Sequence, residues 1–169
     1  EPLYIYNPVQ TEWVPWLATD YTWQDNNKKL LFTIRSGVQW SDGKPFTAHD
    51  VAYTFNLKKK YPALDTRNSW GFLESVDAVS DTKLVVSFNR VYVPGFGAIA
   101  EQVIIPKHIW KELDDPLKFS NPNPVGTGPF TEVLRFNSQV WELGKNPNYW
   151  QPGKPQIEKF VFPTQSNND

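Results

Sequence analysis

The stretch 38-VQWSDGKPFTAHDVAYTF-55 decides how the chain is read, because it leaves a strand, turns, caps a helix and enters it within a few residues. Upstream, 29-KLLFTIR-35 is apolar and β-branched enough for a strand. Ser41-Asp42-Gly43-Lys44-Pro45 then supplies turn residues, with Gly43 free to take positive φ. Thr47 stands at the N-cap, and Asp50, three residues on, is placed to accept the Thr47 amide in a capping box. Ala48, Val51, Ala52 and Phe55 form the apolar stripe of the helix that follows. A hydroxyl and a carboxylate engaged in capping are framework, so the junction itself carries no chemistry.

Working outward, strand candidates recur at Leu3-Tyr6, Leu30-Arg35, Lys83-Asn89, Phe130-Phe136, Gln139-Leu143 and Lys159-Phe162, divided by turns rich in Pro, Gly and Asn. Two helices interrupt them, from Ala48 to about Lys60 and from Lys107 to about Leu113, the second entered through Pro106. The expected class is α+β, rich in sheet. Fifteen prolines fall at element borders and form no low-complexity tract. With no internal repeat and no Gly/Ser linker, residues 1–169 are read as a single compact unit.

Composition excludes several function classes. Lys plus Arg total 17 against 18 Asp plus Glu, so no net field gathers nucleic acid or an anionic membrane surface. The absence of Cys removes disulfides, thiolate metal sites and thiol nucleophiles. No apolar run approaches the ~20 residues of a membrane helix. His49 and His108 each open a predicted helix without a second His or Cys at ligand spacing, so neither a metal site nor a cofactor is expected. The acid pairs Glu74/Asp77 and Asp114/Asp115 read as solvated faces, and no catalytic constellation is recognisable. The Gly126-Thr127-Gly128 triplet runs into Pro129 and a strand, the wrong context for a phosphate loop, and is expected to be the turn before a hairpin centred on Asn137-Ser138.

Aromatics stand out: eight Trp, seven Tyr and eleven Phe. Trp40, Trp141 and Trp150 sit in strong structural contexts and are expected in the core. Trp70 lies in the polar loop 65-DTRNSWGFLESV-76, flanked by Arg67, Asn68 and Ser69, a mix of stacking face and hydrogen-bonding groups suited to sugar or peptide recognition; a core role is the alternative. The opening 1-EPLYIYNPV-9 reads as a strand already under way and the closing 159-KFVFPTQSNND-169 breaks off in a polar tail after a strand-like run, so both ends are expected to be excision points lying close together at one sheet edge.

Four segments together resemble the family 5 extracytoplasmic solute-binding proteins of ABC importers: 31-LFTIRSGVQWSDGKPFTAHDVAYTF-55, 76-VDAVSDTKLVVSFNR-90, 105-IPKHIW-110 and 125-VGTGPFTEVLRFNSQVWELGKNPNYWQPGKP-155. His49 stands where an acid is common, and Asp50 retains the cap. The resemblance implies a two-lobe protein of which this chain is part of lobe one, with the second lobe absent. It also implies export to the periplasm or cell exterior, with or without a lipid anchor on the full-length protein, and partnership with permease subunits. The loop after the first helix and the segment before Pro106-Lys107 are implied as ligand contacts, here Asn68, Ser69, Trp70, Glu101 and Gln102. The forms of 1-EPLYIYNP-8 and 102-QVIIPKHIW-110 look most similar to the branch that binds β-linked cello- or manno-oligosaccharides; an oligopeptide-binding protein is the alternative within the family. The rival from another class is a carbohydrate-binding module or a fragment of a carbohydrate-active enzyme.

Overall fold

A computed structural model describes residues 1–163. The elements run β1 (Tyr4–Asn7), β2 (Glu12–Pro15), β3 (Ala18–Gln24), β4 (Lys29–Ile34), α1 (Ala48–Lys60), β5 (Leu73–Ser80), β6 (Lys83–Phe88), α2 (Gly95–Ala100), α3 (Lys107–Trp110), β7 (Phe130–Phe136), β8 (Val140–Lys145) and β9 (Lys159–Pro163). Short 3-10 turns cover Pro62–Leu64 and Ser69–Gly71. The class is α+β, as read from the sequence.

Where the sequence reading takes 1–169 as one compact unit, the contacts divide it into two, residues 1–36 with 47–119 and residues 37–46 with 120–169. The chain passes between the units three times, after residues 36, 46 and 119, and the second passage, between Phe46 and Thr47, falls inside the turn-to-cap stretch. No Gly/Ser linker marks that passage, because both flanking residues are engaged: Phe46 N donates to Val38 O within one unit, and Thr47 N donates to Asp50 Oδ2 within the other.

In the first unit, β3, β4, β6 and β5 form an antiparallel sheet in that order, and β1 pairs with β2 as a separate hairpin. Alternation in β4 and β6 sends Leu30, Phe32 and Ile34, with Leu84, Val86 and Phe88, to one buried face, and the register Phe32 to Leu84 and Leu30 to Val86 aligns them. Val51 and Phe55 of α1 are buried in the same unit, and Tyr4, Tyr21, Phe32 and Phe96 form an aromatic cluster with centroid separations between 4.4 and 6.2 Å.

Three strands and one helix escape the sequence reading for identifiable reasons. β2 is four residues ending in Pro15, β3 carries Asp20 and an irregular register, and β5 is broken by shifts at both ends that disrupt period two. Helix α2 reads as loop because it holds two glycines in six residues, yet a Cβ on Gly95 would meet the Phe72 and Phe88 rings at 2.9 Å. In α3 the helical part ends at Trp110, earlier than the expected Leu113.

In the second unit, β7, β8 and β9 form an antiparallel sheet in that order. Asn137 closes the hairpin, accepting the Gln139 and Val140 amides on its Oδ1. The 126–128 triplet enters a bend before β7, where Gly126 O accepts the Ser41 amide and Gly128 O accepts from Asn146 Nδ2. Trp40 is fully buried and meets Phe46 edge-on. Trp141 is not core. It is 48% exposed, in a lateral row with Phe136 and Phe162 that nothing covers among the described residues. Trp150 is half-buried. The expected closeness of the two chain ends involves Asp169, which lies outside the described residues.

Candidate functional site

The geometry begins with helix α1. Thr47 Oγ1 accepts the His49 amide and Asp50 Oδ2 accepts the Thr47 amide, completing the capping box. The second oxygen of Asp50 accepts the Lys107 amide at 2.9 Å, so one carboxylate caps α1 and fixes the start of α3. One turn on, the Thr54 hydroxyl donates to Asp50 O and accepts the Ile105 amide. A further turn on, Lys58 Nζ donates to Gln102 Oε1 at 2.6 Å. Residues 50, 54 and 58 share one helix face at a spacing of four, and all three are buried. They form a polar ridge along which residues 102–107 are laid.

The same ammonium reaches the loop after the helix. Asp65 Oδ1 lies 3.4 Å from Lys58 Nζ as an ion pair without hydrogen-bond geometry, and both side chains are only 7% exposed. Asp65 Oδ2 accepts the Trp70 amide. Burial pushes the Asp65 carboxyl up, but the Trp70 and Ser69 amides, the Ser69 hydroxyl and the Lys58 ammonium together outweigh it and hold it below the usual carboxylate range.

The five expected ligand residues therefore lie on two segments that the structure links. Asn68 takes the left-handed conformation (φ 49°) that turns the loop, and its side chain is exposed. Ser69 is fully buried beside Asp65 and has no open face. Trp70 is half-buried: its indole N–H donates to Phe55 O at 2.8 Å, and Lys59 Nζ sits 4.3 Å from its ring centroid. It is neither a free platform nor an enclosed core residue. Glu101 pairs with Arg67 across the two segments at 3.2 Å, both half open to solvent. Gln102 accepts from Lys58 and donates to Val103 O.

Sequence reasoning missed Lys58 and Asp65. Read from sequence, the 58-KKK-60 run has no role beyond the end of the helix, and the signal that one lysine turns inward is its position eight residues after a capping Asp, on that residue's face. His49 faces Asp81 at 3.5 Å on the surface, and among the described residues no group of three or more His, Cys, Asp or Glu side chains could hold a metal ion. A concavity of about 480 Å³ belongs to the second unit and is lined by Ser41, Asp42, Pro124, Thr131, Glu132 and Val133, none of them an expected contact. No helix among the described residues is long and apolar enough to cross a membrane.

Residues 12–169 match the family model described as bacterial extracellular solute-binding proteins, family 5 Middle. Among curated proteins, Protein XP55 of Streptomyces lividans is 33% identical over 153 residues, covering 86% of this chain and 26% of its own length. The nickel-binding periplasmic protein of Escherichia coli K12 is 30% identical over 175 residues, covering 96% of this chain and 31% of its own. Among solved structures, the periplasmic oligopeptide-binding protein of an oligopeptide ABC transporter from Thermotoga maritima superposes with a TM-score of 0.89 at 32% identity, over 99% of this chain and 32% of that one. Its mannohexaose-bound form gives 0.86 at 33% identity, over 95% and 31%. The chain thus spans about a quarter to a third of the length of these proteins.

Proposed function

Because the chain belongs to the family 5 bacterial extracellular solute-binding proteins, we propose that it supplies part of lobe one, and so one side of the ligand cleft, of the substrate-binding component of an ABC importer. The cargo we propose is a β-linked oligosaccharide of the manno- or cello- type. The observation that carries this choice is the likeness, at 33% identity over 95% of the chain, to a protein whose structure holds mannohexaose. Trp70 agrees with it in part, since its half-exposed indole keeps contact area for the apolar face of a pyranose while Asn68 and Glu101 offer exposed polar groups to hydroxyls. Permease subunits are the proposed protein partners, and the proposed location is the periplasm or cell exterior, with a lipid anchor as an additional feature of the complete protein.

A peptide cargo is the second reading. The same Thermotoga protein is described as oligopeptide-binding, and the Arg67–Glu101 pair presents both charges needed to meet peptide termini or side chains. Calorimetric titration of the complete protein with mannohexaose, cello-oligosaccharides and mixed oligopeptides separates the two. Saturable heat with a sugar and none with peptides supports the first; the converse establishes the second. Trp70→Ala is expected to weaken sugar binding by about 1–3 kcal/mol, and unchanged affinity removes Trp70 from the contact set. The family is one of binding proteins and not of enzymes, so pure protein is expected to release no reducing ends from either sugar; release abolished by mutating one acid would establish the enzyme reading instead.

A further inference from the structure

We propose that Lys58 is a positioning residue for the cleft: its single buried ammonium holds Asp65 of the loop after α1 and Gln102 of the segment after α2, so that the two ligand-contacting segments are set as one body. The inference rests on the proposed reading of those segments as cleft walls. What carries it is convergence. Lys58 Nζ lies 2.6 Å from Gln102 Oε1 and 3.4 Å from Asp65 Oδ1, and the Lys58 and Asp65 side chains are almost fully withdrawn from water. Asp65 in turn accepts the Trp70 amide, and Gln102 donates onward to Val103 O. The ammonium is thus the central member of a polar chain that begins at Trp70 and ends at Val103.

Stability alone does not account for such a group. An ammonium taken out of water loses hydration that its partners only partly replace, and a well-packed apolar set of similar volume is often as stable or more so. What an apolar set lacks is direction. Lys58 reaches its position because it is two helical turns beyond Asp50, whose carboxylate is fixed at both oxygens by the Thr47 and Lys107 amides. The neighbouring Lys59 covers the Trp70 ring and donates to Glu74 O, so adjacent lysines set the indole's face and the loop's backbone separately. The exposed Arg67–Glu101 pair joins the same two segments nearer solvent, where screening leaves it weak, so the buried contact dominates the coupling.

The test replaces both charges at once, Lys58→Met with Asp65→Leu, because Lys58→Met alone would leave a buried carboxylate without its cation. In the complete protein carrying this chain, amide exchange read by mass spectrometry over residues 65–71 and 101–104 is expected to quicken roughly 3- to 30-fold in both segments while α1 and β6 stay protected. Mannohexaose affinity, the probe for the cleft, is expected to fall by a similar factor. Wild-type exchange in both segments of a folded double variant overturns the proposal. If the double variant does not fold, Gln102→Leu is read the same way, and unchanged exchange at 65–71 overturns it. Should the wild-type protein bind neither mannohexaose nor peptides, the proposed cargo fails, while the exchange comparison still decides the role of Lys58.

Discussion

The four-stranded sheet of the first unit and the three-stranded sheet of the second are patterned alike and finished differently. In the first unit, alternation gathers Phe32, Leu84, Val86 and Phe88 on one face, and all four are buried, as are Val51 and Phe55 of α1 and Phe96 of α2. In the second unit, two bulges interrupt β7, yet the strands still sort their side chains by face. One face carries the Arg135, Glu142 and Lys159 ion pairs, and the other carries Phe136, Trp141 and Phe162 in lateral register, with Phe160 beside Phe162 at 4.4 Å. There the apolar face stays open among the described residues, and Phe136 is 71% exposed. Alternation dictates which residues share a face; whether that face is covered depends on elements that alternation does not mention.

Unfolding experiments on the chain sharpen that contrast. Phe55→Ala, in the covered unit, is expected to cost about 3–5 kcal/mol in denaturant titration; a loss below about 1 kcal/mol would mean the first core is as open as the second sheet. Asp50→Ala leaves the Thr47 and Lys107 amides without their acceptor and is expected to cost about 2–3 kcal/mol, read as a lowered midpoint with an unchanged denaturant slope. Acid titration should show a smaller effect from one carboxylate. Asp65 is held below its ordinary value in the fold, so the unfolded chain binds its proton first, and its contribution is complete above about pH 4 and lost as the pH falls through the depressed folded value. Asp65→Asn should flatten the stability profile below about pH 4, and an unaltered slope there would contradict the assignment. The smallest effect is expected from Phe136→Ser, within about 0.5 kcal/mol. A loss rivalling that of Phe55→Ala would show that something covers the aromatic row in solution.

Legibility in the sequence followed the range of each interaction. The cap, the α1 span and the Asn137 hairpin are local, and residues within four positions of one another specify them. The strands β4, β6, β8 and β9 were readable because each keeps its period, and β7 was readable in spite of two register shifts, whereas bulges hid β3 and β5, and ring packing against Gly95 hid α2. The division into two units escaped because a ten-residue excursion, 37–46, belongs with residues distant in sequence. Asn68, Ser69, Glu101 and Gln102 were named through family resemblance and Trp70 first through its polar loop, while Lys58 was not singled out. Its burial is decided by Gln102, forty-four positions away, and by Asp65, and no local window contains all three. The polar loop around Trp70 left a site role and a core role both open; the carbonyl that takes its N–H lies fifteen residues upstream in a helix.

The polar ridge of Asp50, Thr54 and Lys58 has a consequence for how the segment after α2 can move. Greasy surfaces allow sliding, since one methyl replaces another at little cost. Three directional contacts allow no intermediate setting: a displacement of one residue in one direction would offer Asp50, and in the other would offer Thr54, the nitrogen of Pro106, which has no hydrogen to give. The helix therefore acts on the 102–107 segment as an index plate with one notch. Travel of that segment is confined to movement together with α1 or to release of all three contacts at once.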